Sequence, residues 1–267
     1  MEVIAHRGCN REALENSWDA FDRAISCGSQ RIELDLQLTA DGDVVINHDD
    51  SLLKTTGVDA SISRLTRREI AKIPLKNGEP IPFLDEVLER LLPRIELNLE
   101  LKGNSPELAS RVAAQVARLD LVSKIIISAF EAPPLLRLLD EAPHVRRACL
   151  WGRDSFTWPY FATFAPNIFL DTCQTNILHP DVRMVDANLM DQAHARGWIV
   201  YPWVPMAGEE DNKEDLWAWL KTLGVHGLCT NYPRQFKIWN DEAGMDAGRF
   251  AAADQVHLNY ENQRDYR

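Results

Sequence analysis

Residues 32–38 read Ile32-Glu33-Leu34-Asp35-Leu36-Gln37-Leu38, and residues 95–102 read Ile95-Glu96-Leu97-Asn98-Leu99-Glu100-Leu101-Lys102. Strict apolar/polar alternation is the period of a β-strand, whose successive side chains point to opposite faces. Glu33, Asp35 and Gln37 therefore share one face of the first stretch. Glu96, Asn98, Glu100 and Lys102 share one face of the second. Taken alone, each stretch fits an amphipathic antiparallel strand with its polar side in water. The rest of the chain argues for a different placement. Apolar runs near 2–6, 31–37, 95–101, 124–128, 145–150, 167–171, 198–203 and 226–230 read as strands. Amphipathic segments near 16–27, 105–119, 132–141, 181–196 and 213–223 read as helices, with a poorer one near 158–164. Such alternation predicts an α/β protein with a parallel sheet, closed as a TIM (β/α)8 barrel. An open doubly wound sheet is the alternative, but no G-x-G-x-x-G follows any of these strands. In a barrel the leucine faces pack beneath the helices and the polar faces look inward. An unpaired carboxylate there costs several kcal/mol, so it needs a cation or a proton.

The chain outside these strands sets the frame. Its 267 residues suit one barrel, and 45% hydrophobic with 26% charged residues is an ordinary globular mixture. A formal net charge of −11 argues against a nucleic-acid partner, which calls for a basic face. Cys9, Cys27, Cys149, Cys173 and Cys229 are scattered, without a C-x-x-C pair. That gives neither a disulfide framework nor a zinc site and fits a reducing cytoplasm. The start, Met1 to Arg7, does not read as a signal peptide, and no long apolar run predicts membrane insertion. Residues 38–94 are a long link between strands two and three, with a hairpin-like strand at Asp43-Val44-Val45-Ile46-Asn47 and a small insertion at about 50–80. Insertions of this kind sit at the functional end of a barrel. The barrel is expected to span 1–240, with 241–267 a packed or mobile extension.

The inward carboxylates Glu33, Asp35 and Glu100 are an all-oxygen set suited to one hard divalent cation, Mg²⁺ or Ca²⁺. Zinc fits less well without a histidine or cysteine cluster. His6 and His48 fall at C-terminal strand ends, where barrel enzymes place their chemistry, and imidazole pairs suit acid–base work near neutral pH. Arg7 and Lys102 add fixed positive charge for an anion such as phosphate.

These residues, in order, resemble the glycerophosphodiester phosphodiesterase family. His6-Arg7-Gly8 with Glu15-Asn16-Ser17 is similar to its H-R-G…E-N-T opening. Glu33-Leu34-Asp35, Thr39-Ala40-Asp41-Gly42, His48-Asp49 and Leu53-Lys54-Thr55-Thr56-Gly57 follow. So do Ile81-Pro82-Phe83-Leu84-Asp85-Glu86-Val87-Leu88, Leu99-Glu100-Leu101-Lys102 and the stretch Gly224 to Pro233. The resemblance covers about residues 3–235. It implies a metal-dependent barrel that hydrolyses a small-molecule glycerophosphodiester to glycerol 3-phosphate and an alcohol. By motif position it implies Glu33, Asp35 and Glu100 as metal ligands, His6 and His48 as the acid–base pair, and Arg7 and Lys102 on the phosphate. The chain departs from the pattern at Leu14, Ser17, His226 and Asn231. The family's W-T-V-N is matched at Trp203-Val204-Pro205-Met206 by the tryptophan alone, which is kept as a substrate-binding candidate.

Two rival readings remain at this point. One is a lysophospholipase D or another phospholipase-type barrel phosphodiesterase; the other is a non-catalytic barrel that binds a phosphodiester. The second would be expected to lack a histidine or a carboxylate, and the sequence keeps them all. Trp151, Phe156, Trp158, Tyr160 and Phe161 lie within one short segment. They read either as helix packing or, for Trp151 and Phe156, as an aromatic wall at the barrel mouth beside Trp203. Such a wall suits a choline headgroup or part of an acyl chain, and the small ester is the expected preference.

Overall fold

The computed structural model describes residues 1–152, 166–206 and 214–245. Strand β1 (Glu2–His6) leads to helix α1 (Trp18–Ser26) and strand β2 (Arg31–Leu38). A long connection then carries β3 (Val44–Ile46), α2 (Leu53–Thr56), α3 (Arg67–Ile70) and α4 (Leu84–Leu91). From β4 (Glu96–Leu101) the chain proceeds through α5 (Pro106–Val116), β5 (Ile125–Ala129), α6 (Ala132–Glu141) and β6 (Arg146–Trp151). It continues as α7 (Pro166–Thr172), β7 (Ile177–Pro180), α8 (Ala187–Arg196), β8 (Ile199–Val200), α9 (Glu214–Thr222), β9 (Gly227–Thr230) and α10 (Pro233–Met245).

The strands pair in the order β8-β7-β6-β5-β4-β2-β1-β9, all parallel, with β3 antiparallel on β2. The ring closes between its two ends. The Cys229 amide donates to Pro202 O at 2.8 Å, that of Val204 to Cys229 O at 3.1 Å, and that of His226 to Val200 O at 3.0 Å. This is the (β/α)8 barrel expected from the alternation.

Local chemistry sets the helices. Ser17 Oγ caps α1, Ser105 Oγ caps α5 with Pro106 at its first turn, and Asp186 caps α8, which stops at left-handed Gly197. The helices between the barrel strands turn their apolar stripes onto the outer faces of those strands. There Ile32, Leu34, Leu36, Leu97 and Leu99 are fully buried in the main core. The inside of the barrel is filled separately. Ile4, Ile126, Ala148, Ile177 and Cys229, from β1, β5, β6, β7 and β9, form an apolar plug with Tyr201. Toward the N-terminal ends, Arg31 is buried and paired with Glu2 at 2.8 Å and with Glu96. The connection after β3 has an apolar cluster of its own, built on Val45, Leu52, Ile62, Ile70, Ile81 and Phe83.

The expected strand at 167–171 is a helix. Ile168-Phe169-Leu170 is too short to show a period, and an apolar run of that length fits either state. In α7 Phe169 and Leu170 are buried while Ile168 is 47% exposed, the one-sided burial of a helix. The strand is instead Ile177-Leu178-His179-Pro180. The expected helix at 181–196 is shortened to α8, after a 3₁₀ turn over Val182–Met184. The poorer helix near 158–164, together with Phe156, Trp158, Tyr160 and Phe161, lies outside the described residues. Trp151 is not at the barrel mouth. Strand parity turns it outward into the core beneath the helices, and Leu150 points inward instead.

Candidate functional site

One cavity of about 390 Å³ opens at the C-terminal mouth, with His6, Arg7, Glu33, His48, Glu100 and Lys102 on one side. Phe130, Leu150, His179, Trp203, Pro205 and Met206 line the other. All eight residues singled out as candidates from sequence meet here: seven line the cavity, and Asp35 lies directly behind it, paired with Arg7 and Lys102.

The carboxylates come from adjacent strands in register. Glu33 of β2 sits beside Asn98 of β4, and Asp35 beside Glu100. Ligand atoms of Glu33, Asp35 and Glu100 all lie within 4.8 Å of one another, and all three residues are buried. Asp35 is the neutralised member. Lys102 Nζ lies 2.8 Å from its Oδ1, Arg7 Nε lies 3.1 Å from its Oδ2, and Asn16 Nδ2 donates to Oδ2 at 2.8 Å. Burial pushes the Asp35 carboxyl up, but the two cations outweigh it and hold the group well below the usual carboxylate range. Lys102 also pairs with Glu100, and these carboxylates keep its ammonium charged despite burial.

Glu33 is the uncompensated member. Desolvation first, then the charges of Asp35 and Glu100, push its carboxyl well above the usual range. Its Oε2 accepts the Arg7 amide at 3.0 Å, while its buried Oε1 has no hydrogen-bond partner. Three converging oxygen donors, one with an open lone pair, fit a hard divalent cation. Asn98 Oδ1, also buried and without a partner, faces the same cavity.

The turn after β1 shapes the opposite wall. Arg7 (φ 55°) and Asn16 (φ 56°) are non-glycine residues in left-handed backbone, a strained arrangement that concentrates at functional sites. Gly8 follows at φ 78°, and a Cβ there would lie 2.7 Å from the Ala20 carbonyl. The chain is thus pressed against α1 while the Arg7 side chain reaches Glu15 at 3.3 Å and Asp35. Lys54, from α2, closes over the group by donating to Glu15 at 2.7 and 2.8 Å.

The two histidines differ in their partners. Asn231 directs its Nδ2 at the Val204 and Pro205 carbonyls, both at 3.4 Å, and its Oδ1 accepts from Asn10 Nδ2 at 2.8 Å. That orientation leaves Oδ1 to accept from His6 Nδ1 at 2.9 Å, so the His6 proton belongs on Nδ1. The opposite nitrogen, Nε2, lies 3.9 Å from Glu33. Burial and then the Arg7 charge hold His6 well below the usual imidazole range. His48 is more exposed, and its Nδ1 lies 2.7 Å from the Asp49 carboxylate.

Trp203 lines the cavity edge-on to Phe130 at 5.8 Å. Sequence reading did not single out Asn98, Lys54, Phe130 or His179. Asn98 was on the polar face already recognised in β4, so strand parity could have named it. His179 lies in a four-residue strand hidden beside the misread helix, and no local signal marks it.

The fold is a parallel barrel whose C-terminal mouth gathers two histidines, two cations and a buried carboxylate cluster that could hold a metal ion. Residues 6–235 match the model of the Glycerophosphoryl diester phosphodiesterase family, and the chain belongs to that family. It is 28% identical over 257 residues to a glycerophosphodiester phosphodiesterase of Bacillus altitudinis, covering 89% of this chain and 97% of that one. It is also 27% identical over 271 residues to a lysophospholipase D of Rattus norvegicus, covering 88% and 84%. Among solved structures, a phosphodiesterase of Oleispira antarctica in complex with the product sn-glycerol-3-phosphate superposes with a TM-score of 0.78 at 25% identity, covering 90% and 97%. No helix among the described residues is long and apolar enough to cross a membrane.

Proposed function

We propose that this chain hydrolyses glycerophosphodiesters to glycerol 3-phosphate and an alcohol, with one divalent cation, Mg²⁺ or Ca²⁺, held by Glu33, Asp35 and Glu100. The observation that carries this reading is the meeting of three buried carboxylates with His6, Arg7, His48 and Lys102 at one cavity. The named relatives and the product complex of the Oleispira protein support the substrate. A bound divalent ion offsets the charge that builds on a phosphoryl oxygen during displacement. Arg7 and Lys102 bring further positive charge to the phosphate. His6, with its proton fixed on Nδ1 by Asn231, offers the Nε2 lone pair and takes the nucleophile's proton. His48 is left to protonate the departing alcohol oxygen. Water or the glycerol 2-hydroxyl serves equally as nucleophile in this scheme.

A specific observation favours a second reading, lysophospholipase D activity. The wall of Phe130, Leu150, Trp203, Pro205 and Met206 is apolar, and a relative of similar identity bears that name. One assay separates the readings: release of glycerol 3-phosphate from several glycerophosphodiesters, and of choline from lysophosphatidylcholine, with and without chelator. Faster turnover of the small esters, lost with chelator, supports the first. Faster turnover of the lysolipid moves the chain to the second. No turnover of either, with tight phosphodiester binding, makes the barrel a binding protein.

A further inference from the structure

Two thiols touch directly behind the His6–Gly8 turn. Cys9 Sγ lies 4.0 Å from Cys27 Sγ, with Cys9 in the turn after β1 and Cys27 at the C-terminal cap of α1. Cys9 is tied down on both sides. Its amide donates to Ala20 O at 2.9 Å, and its carbonyl accepts from Glu12 and Ala13 at 2.9 and 3.0 Å. Of the five cysteines Cys27 alone is not buried, so a small reagent in water meets it first. Its Sγ sits 3.4 Å from Ser29 Oγ. The Cys9 contact chiefly, with help from Ser29 and against desolvation, draws the Cys27 thiol down to about 6, while Cys9 is pushed up. Arg234, anchored on Glu12 at 2.8 and 2.9 Å, adds positive charge toward Cys27. The pair therefore sets a partly exposed sulfur, which also donates to the Ala24 carbonyl at 3.2 Å, against a buried one at contact distance.

We propose that Cys9 and Cys27 are a modification site at which a hydroperoxide forms a reversible disulfide that displaces the His6–Gly8 turn. The Cys27 thiolate attacks one peroxide oxygen; the S–O bond forms, the O–O bond breaks, and the other oxygen leaves as the alcohol, or as water when the oxidant is hydrogen peroxide, after taking a proton. The Cys9 sulfur then attacks the Cys27 sulfenic acid, giving the S–S bond and one water that carries away the Cys9 proton. Two thiols are oxidised and one peroxide is reduced. A dithiol reverses the step.

Joining the sulfurs brings them from 4.0 Å to about 2.05 Å, so Cys9 or the end of α1 must shift. Gly8 lies close enough to α1 that a Cβ there would meet the Ala20 carbonyl at 2.7 Å, so the turn between Cys9 and Arg7 has little room to yield on that side. A shift of the Cys9 backbone is passed through Gly8 to the Arg7 amide, which donates to Glu33, and to the His6 ring.

The effect on turnover rests on the function proposed above; the disulfide itself does not. The full chain is treated with hydrogen peroxide at neutral pH, quenched and digested. The expected result is loss of two of the five thiols, a peptide linked through Cys9 and Cys27, and altered amide exchange across residues 4–13, all restored by dithiothreitol. Glycerophosphodiester hydrolysis is expected to fall about 10-fold or more, because misplacement of about 1 Å costs that much at a catalytic group. Cys27→Ser should keep basal activity and lose both the link and the sensitivity. A link confined to Cys149 and Cys173, or equal sensitivity of wild type and Cys27→Ser, overturns the proposal. If the reduced protein hydrolyses no ester, the proposed function fails while mass and exchange still decide the disulfide.

Discussion

His179 gives the sharpest quantitative expectation. It is buried in the cavity wall, 1% exposed, edge-on to Tyr201 at 5.5 Å, and its Nε2 has no hydrogen-bond partner. Desolvation, then the charges of Arg31 and Arg146, draw its imidazole from 6.5 down to about 3. The native protein thus keeps this ring neutral across a range in which the unfolded chain protonates it. Because the folded value is the lower one, the contribution to stability is complete above about pH 6.5. It is lost as pH falls through that value, down to about pH 3. At about 1.36 kcal/mol per pH unit, the loss reaches about 2 kcal/mol at pH 5. Replacement by phenylalanine keeps a ring and removes the titration. Urea unfolding of wild type and His179→Phe at about pH 8 and about pH 5, at matched metal concentration, isolates this one group, since other titrations largely cancel in the difference. Wild type should lose about 2 kcal/mol more than the variant between the two conditions. An equal loss in both proteins would show that the ring is hydrated or already partnered in solution, and the reasoning would fail.

Glu100→Gln should retain the fold by circular dichroism but bind Mg²⁺ or Ca²⁺ more weakly by calorimetry and lose most turnover, since it removes a ligand charge. His6→Ala and His48→Ala should each lower kcat by roughly 10²-fold or more with little change in KM, the scale of proton transfer; near-native kcat in either removes that histidine from the mechanism. Gly8→Ala should lower stability in urea by about 3 kcal/mol or more, combining left-handed strain at an alanine with overpacking against Ala20. A cost below about 1 kcal/mol would mean that the turn relaxes easily.

What could be read in the sequence was what is local. Strand parity is fixed by the backbone, so the polar faces of β2 and β4 named Glu33, Asp35, Glu100 and Lys102 before any contact was known. The strand-end positions of His6 and His48 were legible for the same reason. A triplet such as Ile168-Phe169-Leu170 carries no such signal: its state depends on which neighbours bury it, and in the fold only one side is buried. The strand taking its place is four residues long and ends in a proline, too short for any period to show.

Pairings across the chain were beyond reach for a different reason. His6 and Asn231 are 225 residues apart, and only closure of β1 against β9 brings them together. Their contact decides which imidazole nitrogen carries the proton, and so which role His6 can take. The division of labour among the carboxylates is likewise a product of packing. Asp35 and Glu33 stand two apart on the same strand face and look equivalent in sequence. In the fold Asp35 receives Arg7, Lys102 and Asn16, whereas Glu33 keeps an open oxygen and an elevated carboxyl. Asp35 thereby fixes the two cations, Arg7 and Lys102, that line the cavity, and Glu33 is left as the carboxylate without a cation of its own. Identical chemistry two residues apart acquires opposite electrostatics because one side chain is surrounded by donors and the other by carboxylates.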